Sequence, residues 1–597
     1  DKIESLGLLK MDLLGLRTLT VIGDAIKFIY ETTGDKLDID KIPLDDEATC
    51  SMLRKGDTQG VFQLESGGMT KLVMDLGPES FEDLIPLVAL YRPGPLGTGM
   101  VEDFIAGRHG EKTAEMLHPL LEPVLKDTFG VILYQEQVMQ ITSVLAGFSL
   151  GQADILRRAM GKKKAKELDS MREAFIDGAQ QKHGISPQLS SEIFALLQHF
   201  AGYGFNKSHS AAYALVAYQT AYLKAHWPAE FMAAFLTSVI SDSEKLSWYI
   251  SVCRSMGLKI LPPDVNESGR SFSVNKDRVI RFGLAGVKNV GENAIGSILQ
   301  ARKEGPFKSL MDFCKRVDNR AVNKRMLENL IKCGAMDSFG YKRSELLAVA
   351  EQAMDMGSNY QKDYQSGQMG LFGDDSFADV NELRIPELEE IPKRTILQYE
   401  KELIGFYVTG NPLDAYVGSL YYYTPLRKIS DASEVLDGKY FSVAGIISDC
   451  RIRNTRQGDS MAILTLEDFN GKMEIVVFPK VYRDAARLLY QENAISVEGK
   501  LSIDERERKI QALKIKPLQE VPPDLHIKIM KKDENGIVQK GLKQIFESFS
   551  GDTPVYLHLI DSGKMIKVER CFWVDGKNAG VYQALDDLLG ENWYLKG

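Results

Sequence analysis

The sequence predicts a multidomain protein that is mainly α-helical at first, then forms a small β-barrel of the OB type and a final α+β unit. Three observations predict this. The 597 residues are more than one hydrophobic core serves. Helical periodicity dominates from Leu19 to about Leu258. From Lys439 the period changes to the alternation of half-buried strands. A chain of this length fits roughly three to five domains.

Composition narrows the class. Hydrophobic residues make up 44% and charged residues 26%, as in globular proteins. The most apolar stretch, Ala211 to Trp227, is interrupted by Gln219, Lys224 and His226, so no run has the length of a membrane span. Six scattered cysteines without a C-x-x-C pair exclude a zinc framework or disulfide scaffold and imply a reducing cytoplasm. A net charge of -9 excludes a protein that coats nucleic acid with its whole surface, while leaving room for a local basic channel. There is no secretory leader pattern, and the chain begins with Asp1, which leads us to expect a piece of a longer protein.

The elements follow in order. Leu6 to Leu16 reads as an apolar strand carrying Lys10 and Asp12. The helical region is punctuated by turns at Arg92-Pro93-Gly94-Pro95 and Gly107-Arg108-His109-Gly110. Leu261-Pro262-Pro263-Asp264 cannot continue a helix and marks a domain boundary. Short helices and tight turns fill residues 280–340, and the polar stretch Gly357 to Asp379 reads as a linker. Strands are expected at Tyr440–Ile447, Met461–Glu467, Met473–Phe478, Ala494–Leu501 and Lys509–Ile515, with a helix at Val481–Tyr490. Asn470-Gly471 supplies a hairpin turn between the second and third. The tail offers strands at His526–Met530 and Val555–Ile560 and a helix at Leu542–Phe549.

Three clusters carry chemistry. Six of the ten residues 157–166 are basic, among them Arg157, Arg158, Lys162 and Lys163. Guanidinium forks and ammonium point charges suit phosphate oxygens, although a solvated basic helix end has the same composition. Gly202 to Ser210 packs Tyr203, Phe205, Asn206, Lys207, Ser208 and His209 just before a helix expected at Ala211–His226. Free N–H groups at a helix start hold anions and aromatics stack on bases; the plain alternative is Ser208 or Ser210 as an N-cap. Lys10 and Asp12 share one strand face, where a carboxylate suits a metal and a lysine suits phosphate; a structural ion pair looks the same.

These residues carry a resemblance. GLLKMDLLGLRTLTVI (Gly7–Ile22), GVFQLES (Gly60–Ser66), LVALYRPGPLGTGMVEDFI (Leu87–Ile105), ILYQEQVMQI (Ile132–Ile141), LRRAMGKKK (Leu156–Lys164) and FAGYGFNKSHSAAYALVAYQTAYLKAHWP (Phe200–Pro228) are similar, in order and spacing, to the bacterial DNA polymerase III alpha subunit family, in its DnaE type. The resemblance implies a piece of α/β palm at 1–20, mainly α fingers at 21–262 and a helix-hairpin-helix DNA-binding region at 263–356. It places a linker with a clamp motif and connecting helices at 357–437, an OB-fold at 438–520 and a C-terminal α+β domain at 521–597.

Residue by residue, the resemblance makes Asp12 the third catalytic, metal-binding aspartate of the palm and places Lys10 near an incoming triphosphate. It puts Arg157, Arg158, Lys162 and Lys163 on a triphosphate-binding motif, and Asn206, Lys207, Ser208 and His209 beside the nascent pair. The implied reaction is template-directed addition of dNTPs to a primer 3′-OH with two Mg²⁺ ions roughly 3.5–4 Å apart. The family's first two catalytic aspartates lie upstream of these motifs, so the 597 residues by themselves are expected to be inactive.

Further on, Gly286 to Ala294 resembles a helix-hairpin-helix turn whose backbone holds a DNA phosphate, at Val287, Lys288, Asn289, Val290 and Gly291, with Asn289 in place of the usual glycine. Gln368-Met369-Gly370-Leu371-Phe372 fits the pattern of Gln, two spacers and Leu-Phe that binds a sliding clamp. Arg451, Arg453, Arg456 and Lys472 with Phe469, Phe478 and Tyr482 suit single-stranded template. The implied partners are primer-template DNA, dNTP, the beta sliding clamp, the clamp-loader tau subunit through the final unit, and a proofreading exonuclease subunit through the family's amino-terminal region. No membrane partner is expected. The competing readings are a non-catalytic module that binds DNA, clamp and clamp loader, and an RNA-binding OB protein; acidic and triphosphate-shaped basic motifs favour the enzyme. Replacing Leu371 and Phe372 by Ala should abolish retention of the chain on immobilised clamp in a pull-down.

Overall fold

The computed structural model describes residues 15–112, 116–161, 165–201, 204–365, 383–430, 436–455, 458–469, 471–504, 507–520, 524–530, 536–590 and 593–594. Lys10, Asp12, Lys162, Lys163, Tyr203, Arg456 and the motif Gln368, Met369, Gly370, Leu371, Phe372 lie outside these residues. The chain forms two compact units, Asp1–Phe406 and Tyr407–Gly597.

The first unit is helical and organised by one long helix, Lys207–His226. Its Ala214, Ala217, Tyr218 and Ala221 are buried in a core with Leu53, Val61, Leu64, Leu87 and Phe104. The small alanines let neighbouring helices approach closely, and the large residues come from the neighbours. A second core holds the basic region: Leu156, Ala159 and Met160 of the Leu150–Gly161 helix pack with Ile141 and Leu145 of Gln135–Ala146 and with Phe175, Phe194 and Leu197.

The Pro262-Pro263 break follows strand β1 (Ile260–Leu261), and the chain stays within the same unit. Strand β2 (Ser273–Val274) and β1 both pair with β3 (Ile280–Arg281), antiparallel and parallel respectively. Beyond the break, Asn266 exchanges hydrogen bonds with the Phe307 backbone at 2.9 and 2.7 Å. A buried ion network closes this region. Arg343 is paired with Asp337 at 2.7 Å and with the fully buried Glu400 at 3.1 Å, and it donates to Lys332 O. It thereby joins the helices Lys324–Lys332, Arg343–Gln365 and Lys393–Ile404.

The polar stretch from Gly357 requires a correction. Residues 357–365 continue the Arg343–Gln365 helix instead of opening a linker. The Gln361 amide donates to Lys315 O and Val317 O, and a Cβ at Gly357 would collide with Cys314 O, so glycine permits the close approach. Tertiary packing overrides a loop-like composition here.

In the second unit, β4 (Tyr440–Asn454), β5 (Ser460–Glu467), β6 (Lys472–Val477), β7 (Ala494–Asp504) and β8 (Glu507–Pro517) close into a barrel ordered β4-β5-β6-β8-β7. β6 and β8 run parallel, with Ile475 opposite Ile510, and the other pairs are antiparallel. Alternate residues Leu464, Leu466, Ile475, Val477 and Val497 fill the interior. The turn after β5 is pinned by Asp468, whose carboxylate accepts from Gly471 N at 2.7 Å and Leu426 N at 2.8 Å. The helix expected at Val481–Tyr490 is shorter and earlier, Pro479–Ala485 followed by a 3₁₀ turn, because Pro479 is preorganised for a first helical position.

The tail packs helices Gly536–Ser548 and Ala579–Leu589 with a sheet ordered β12-β11-β9, made of β9 (Leu525–Ile529), β11 (Val555–Leu559) and β12 (Lys564–Lys567), while β10 (Ser550–Thr553) bridges to Val574. The first helix begins six residues before its expected start at Leu542, and the second helix and β12 were not expected from the pattern.

Lys224 is 3% exposed and donates to Asp57 O and Gln59 O, both at 2.8 Å. Burial pushes its ammonium from the ordinary 10.5 down to about 8. The folded state therefore releases this proton before the unfolded chain does, and Lys224 contributes a stability that rises with pH between these two values. Lys224→Met should destabilise the first unit by about 2 kcal/mol and remove that rise, as read from urea unfolding at pH values across the window.

Candidate phosphate and nucleic-acid site

The site is built around two consecutive residues at the start of the Gln135–Ala146 helix. The Gln135 side chain accepts from Arg157 Nη1 at 3.0 Å and donates to Gly204 O at 3.1 Å. The Glu136 carboxylate accepts from Asn206 Nδ2 at 2.8 Å and from Lys207 N at 3.0 Å. Gln135 N donates to Phe205 O and Phe205 N to Leu133 O, a bridge that fixes the two segments side by side. The arginine pair and the Asn-Lys-Ser-His segment, some fifty residues apart in sequence, are thus linked through one dipeptide.

The individual groups are not equivalent. Arg157 is held on three of its nitrogens, by Asp154 through Nε and Nη2 and by Gln135 through Nη1. Arg158, 67% exposed, meets the other Asp154 oxygen at 2.8 Å. The hydrogen bond from Arg157, with the two neighbouring positive charges, holds the Asp154 carboxyl below the usual carboxylate range. Arg158 is the side chain freer to turn toward an added phosphate, and Arg157 is the better fixed.

At the other side, the N-cap of the Lys207–His226 helix is Asn206, whose Oδ1 accepts from His209 N at 2.8 Å. This corrects the serine alternative and the expected start at Ala211. Ser208 is exposed in the first turn, and Ser210 is buried and donates to Ile85 O. Asn outranks serine here because its side chain also reaches Glu136. The Glu136 carboxylate already lies on this helix start, as expected for an anion among free N–H groups. Lys207 Nζ lies 5.4 Å from the Tyr134 ring centre, and His209 is exposed.

In the hairpin region, Asn289 has φ 65°, the left-handed conformation the usual glycine would adopt. Val287 and Val290 are buried, so their side chains hold the turn, whereas Lys288, Asn289 and Gly291 face solvent. Asn289, Val290 and Gly291 line a cleft of 390 Å³ together with Asn323 and Arg325. Asn323 caps the Lys324–Lys332 helix by accepting from Met326 N. Sequence reasoning missed Asn323 and Arg325 and gave Gln135 and Glu136 no role beyond their motif; a Gln-Glu pair opening a helix ahead of the two charged clusters was the available clue.

In the barrel unit, Arg451 is paired with Asp449 at 2.7 Å and Lys472 with Glu467 at 3.1 Å, while Phe469 and Phe478 are exposed. Among the described residues no group of three or more His, Cys, Asp or Glu could hold a metal ion. The carboxylate expected to do so, Asp12, lies outside them. No described helix is long and apolar enough to cross a membrane.

The bacterial DNA polymerase III alpha subunit finger domain family matches residues 18–183. A helix-hairpin-helix motif family matches 257–346, and an OB-fold nucleic acid binding domain family matches 441–518. The chain is 43% identical over 571 residues to a DNA polymerase III subunit alpha of Thermus aquaticus, covering 94% of this chain and 46% of the relative. It is 41% identical over 632 residues to the subunit of Pseudomonas aeruginosa, covering 99% and 53%. It is 43% identical over 514 residues to that of Escherichia coli K12, covering 84% and 44%. The chain thus spans about half the length of the curated relatives it matches.

Asn206→Ala removes both the cap and the tie to Glu136. It should cost about 1 kcal/mol in chemical denaturation and speed hydrogen exchange at the His209 amide.

Proposed function

The chain belongs to the bacterial DNA polymerase III alpha subunit family, and from that premise we propose that it forms part of the catalytic subunit of a replicative DNA polymerase. The reaction is template-directed addition of dNTPs to a primer 3′-OH. The observation that carries this reading is the linkage of Arg157–Arg158 and Asn206–Lys207 through Gln135 and Glu136.

In this reading Arg158 and Lys207 bind the triphosphate oxygens, with Lys162, Lys163 and Lys10 adding positive charge. Arg157 is the fixed donor of the set, because Asp154 and Gln135 hold its guanidinium in one plane. Phosphoryl transfer asks the protein mainly for positioning and for cations where negative charge spreads, and prearranged donors supply both at low reorganisation cost. Ser208 and His209 follow Lys207 in the first turn of the same helix, next to the nucleotide. Divalent ions, Mg²⁺ above all, belong to Asp12 and to carboxylates supplied by other parts of the parent protein, where they neutralise phosphate charge. A single carboxylate cannot assemble a two-metal site, so these 597 residues alone do not extend a primer.

Duplex DNA is the proposed partner of the cleft at Asn289, Gly291 and Arg325, with the exposed Lys288 in the same turn, where phosphate contacts position without reading sequence. Single-stranded template is assigned to the barrel, the sliding clamp to Gln368–Phe372 and the clamp loader's tau subunit to the final α+β unit. The proofreading exonuclease would meet the amino-terminal region of the parent, and the setting is the bacterial cytoplasm.

The test is primer extension by the full-length parent carrying Arg158→Ala. KM for dNTP should rise about tenfold with primer-template affinity unchanged. An unchanged KM, or extension by the isolated 597-residue chain, overturns the assignment; DNA binding without any extension by the intact parent favours the non-catalytic module.

A further inference from the structure

A second feature borders the phosphate-binding segment and has no role in the reading above. The loop Asp57 to Ser66 carries Gln63 with φ 64°, a left-handed conformation that costs a non-glycine residue free energy. Such strain persists only where the surroundings over-determine it, and here they do. Lys224 Nζ bonds Asp57 O and Gln59 O, and Thr220 Oγ1 accepts from Phe62 N at 3.1 Å. Glu65 accepts from Gly60 N at 3.1 Å and from Tyr249 Oη at 2.5 Å. Both Lys224 and Thr220 belong to the helix that starts with Lys207, so the loop tip and the anion-binding helix start are fixed to one rod.

The strained tip meets the site through rings. Phe62 lies 5.4 Å from Tyr213, Tyr213 4.3 Å from His209, and His209 5.4 Å from Phe205. The Arg92 guanidinium lies 4.2 Å from the Phe205 ring centre. Next to Arg92, the Tyr91 hydroxyl occupies the space a Cβ at Gly68 would need, so Tyr91 lies against the start of the helix that follows the loop. Phe62, Tyr91, Arg92, Phe205, His209 and Tyr213 come from three chain segments, and none of them is buried. Phe62, Tyr91 and Phe205 pack one side on the first core, and each member of the cluster keeps part of its surface open to a ligand. Gln63 is exposed, and its amide has no hydrogen-bond partner among the described residues.

Rings and a cation beside a phosphate-binding segment match the chemistry of a nucleobase, which offers a π-face to stack and an edge of donors and acceptors to read. We propose that Phe62, Gln63 and Tyr213 form a platform for the base of the nucleotide whose phosphates bind at Arg158 and Lys207, with the rings against its face and the Gln63 amide at its edge. The assignment rests on the phosphate reading and deepens it. The amide both donates and accepts, so it can satisfy any base edge; the platform therefore positions a base without choosing its identity.

The test measures equilibrium binding of two probes, dGTP and tripolyphosphate, to the 597-residue chain in one magnesium-containing buffer. Phe62→Leu should weaken dGTP binding about fivefold and Gln63→Gly about threefold, with tripolyphosphate binding unchanged in both. Gln63→Gly keeps a backbone suited to positive φ, so its unfolding midpoint should not fall and it remains informative if Phe62→Leu disturbs the loop. Unaltered dGTP binding in Gln63→Gly, or equal weakening of the two probes, overturns the platform alone. Failure of the wild-type chain to bind either probe, or indifference of both probes to Arg158→Ala, overturns the phosphate reading and the platform with it.

Discussion

The polar side chains buried along the Lys207–His226 helix set the geometry on which the first unit depends. Ser210 bonds Ile85 O, the Tyr218 hydroxyl donates to Pro43 O and accepts from Asp46 N, Thr220 accepts from Phe62 N, and Lys224 clasps two carbonyls of the loop before it. Each bond joins the helix to a segment more than a hundred residues away in sequence. A buried donor or acceptor left without its partner is costly, so the register of these segments against the helix is fixed far more tightly than apolar contact alone would fix it. The alanines between them remove bulk, so the surrounding chain closes to hydrogen-bonding distance.

The same helix begins where phosphate chemistry is proposed, and its start is not left bare. Glu136 accepts from the first turn while Asp154 pairs with both arginines and offsets one of their two charges, so the site is a set of prepaired groups that keeps a positive excess. Pairing keeps like charges from repelling in the absence of ligand and holds side chains in one conformation. A polyanion then competes with carboxylates for donors already in place, which favours orientation over raw affinity.

The hairpin cleft and the barrel use a different logic. At the hairpin, two buried valines and a left-handed asparagine shape the backbone, and charge enters from Lys288 and Arg325 on separate turns. In the barrel, Arg451 and Lys472 are spent on neighbouring acids, and aromatic exposure at Phe469 and Phe478 remains. The loop-like composition of residues 357–365 concealed a helix because its anchors, Lys315 O, Val317 O and the close approach to Cys314, come from a distant helix and leave no local trace.

By itself the sequence determined the helical first region, the five barrel strands and their hairpin, the absence of a disulfide scaffold and the two charged clusters. Periodicity, turn chemistry and charge density are local properties, and a single strand of text records them. Only the tertiary structure decided that Asn206 and not a serine caps the helix, that Arg157 is fixed by Asp154 and Gln135 while Arg158 stays exposed, and that the left-handed Gln63 follows the Phe62 ring that meets Tyr213. Local i,i+3 contacts prepare the first two outcomes, but distant groups complete all three: Glu136 on Asn206, Gln135 on Arg157 and Thr220 on the Phe62 amide arrive within about 3 Å, a hydrogen-bond distance that spacing along the chain does not encode.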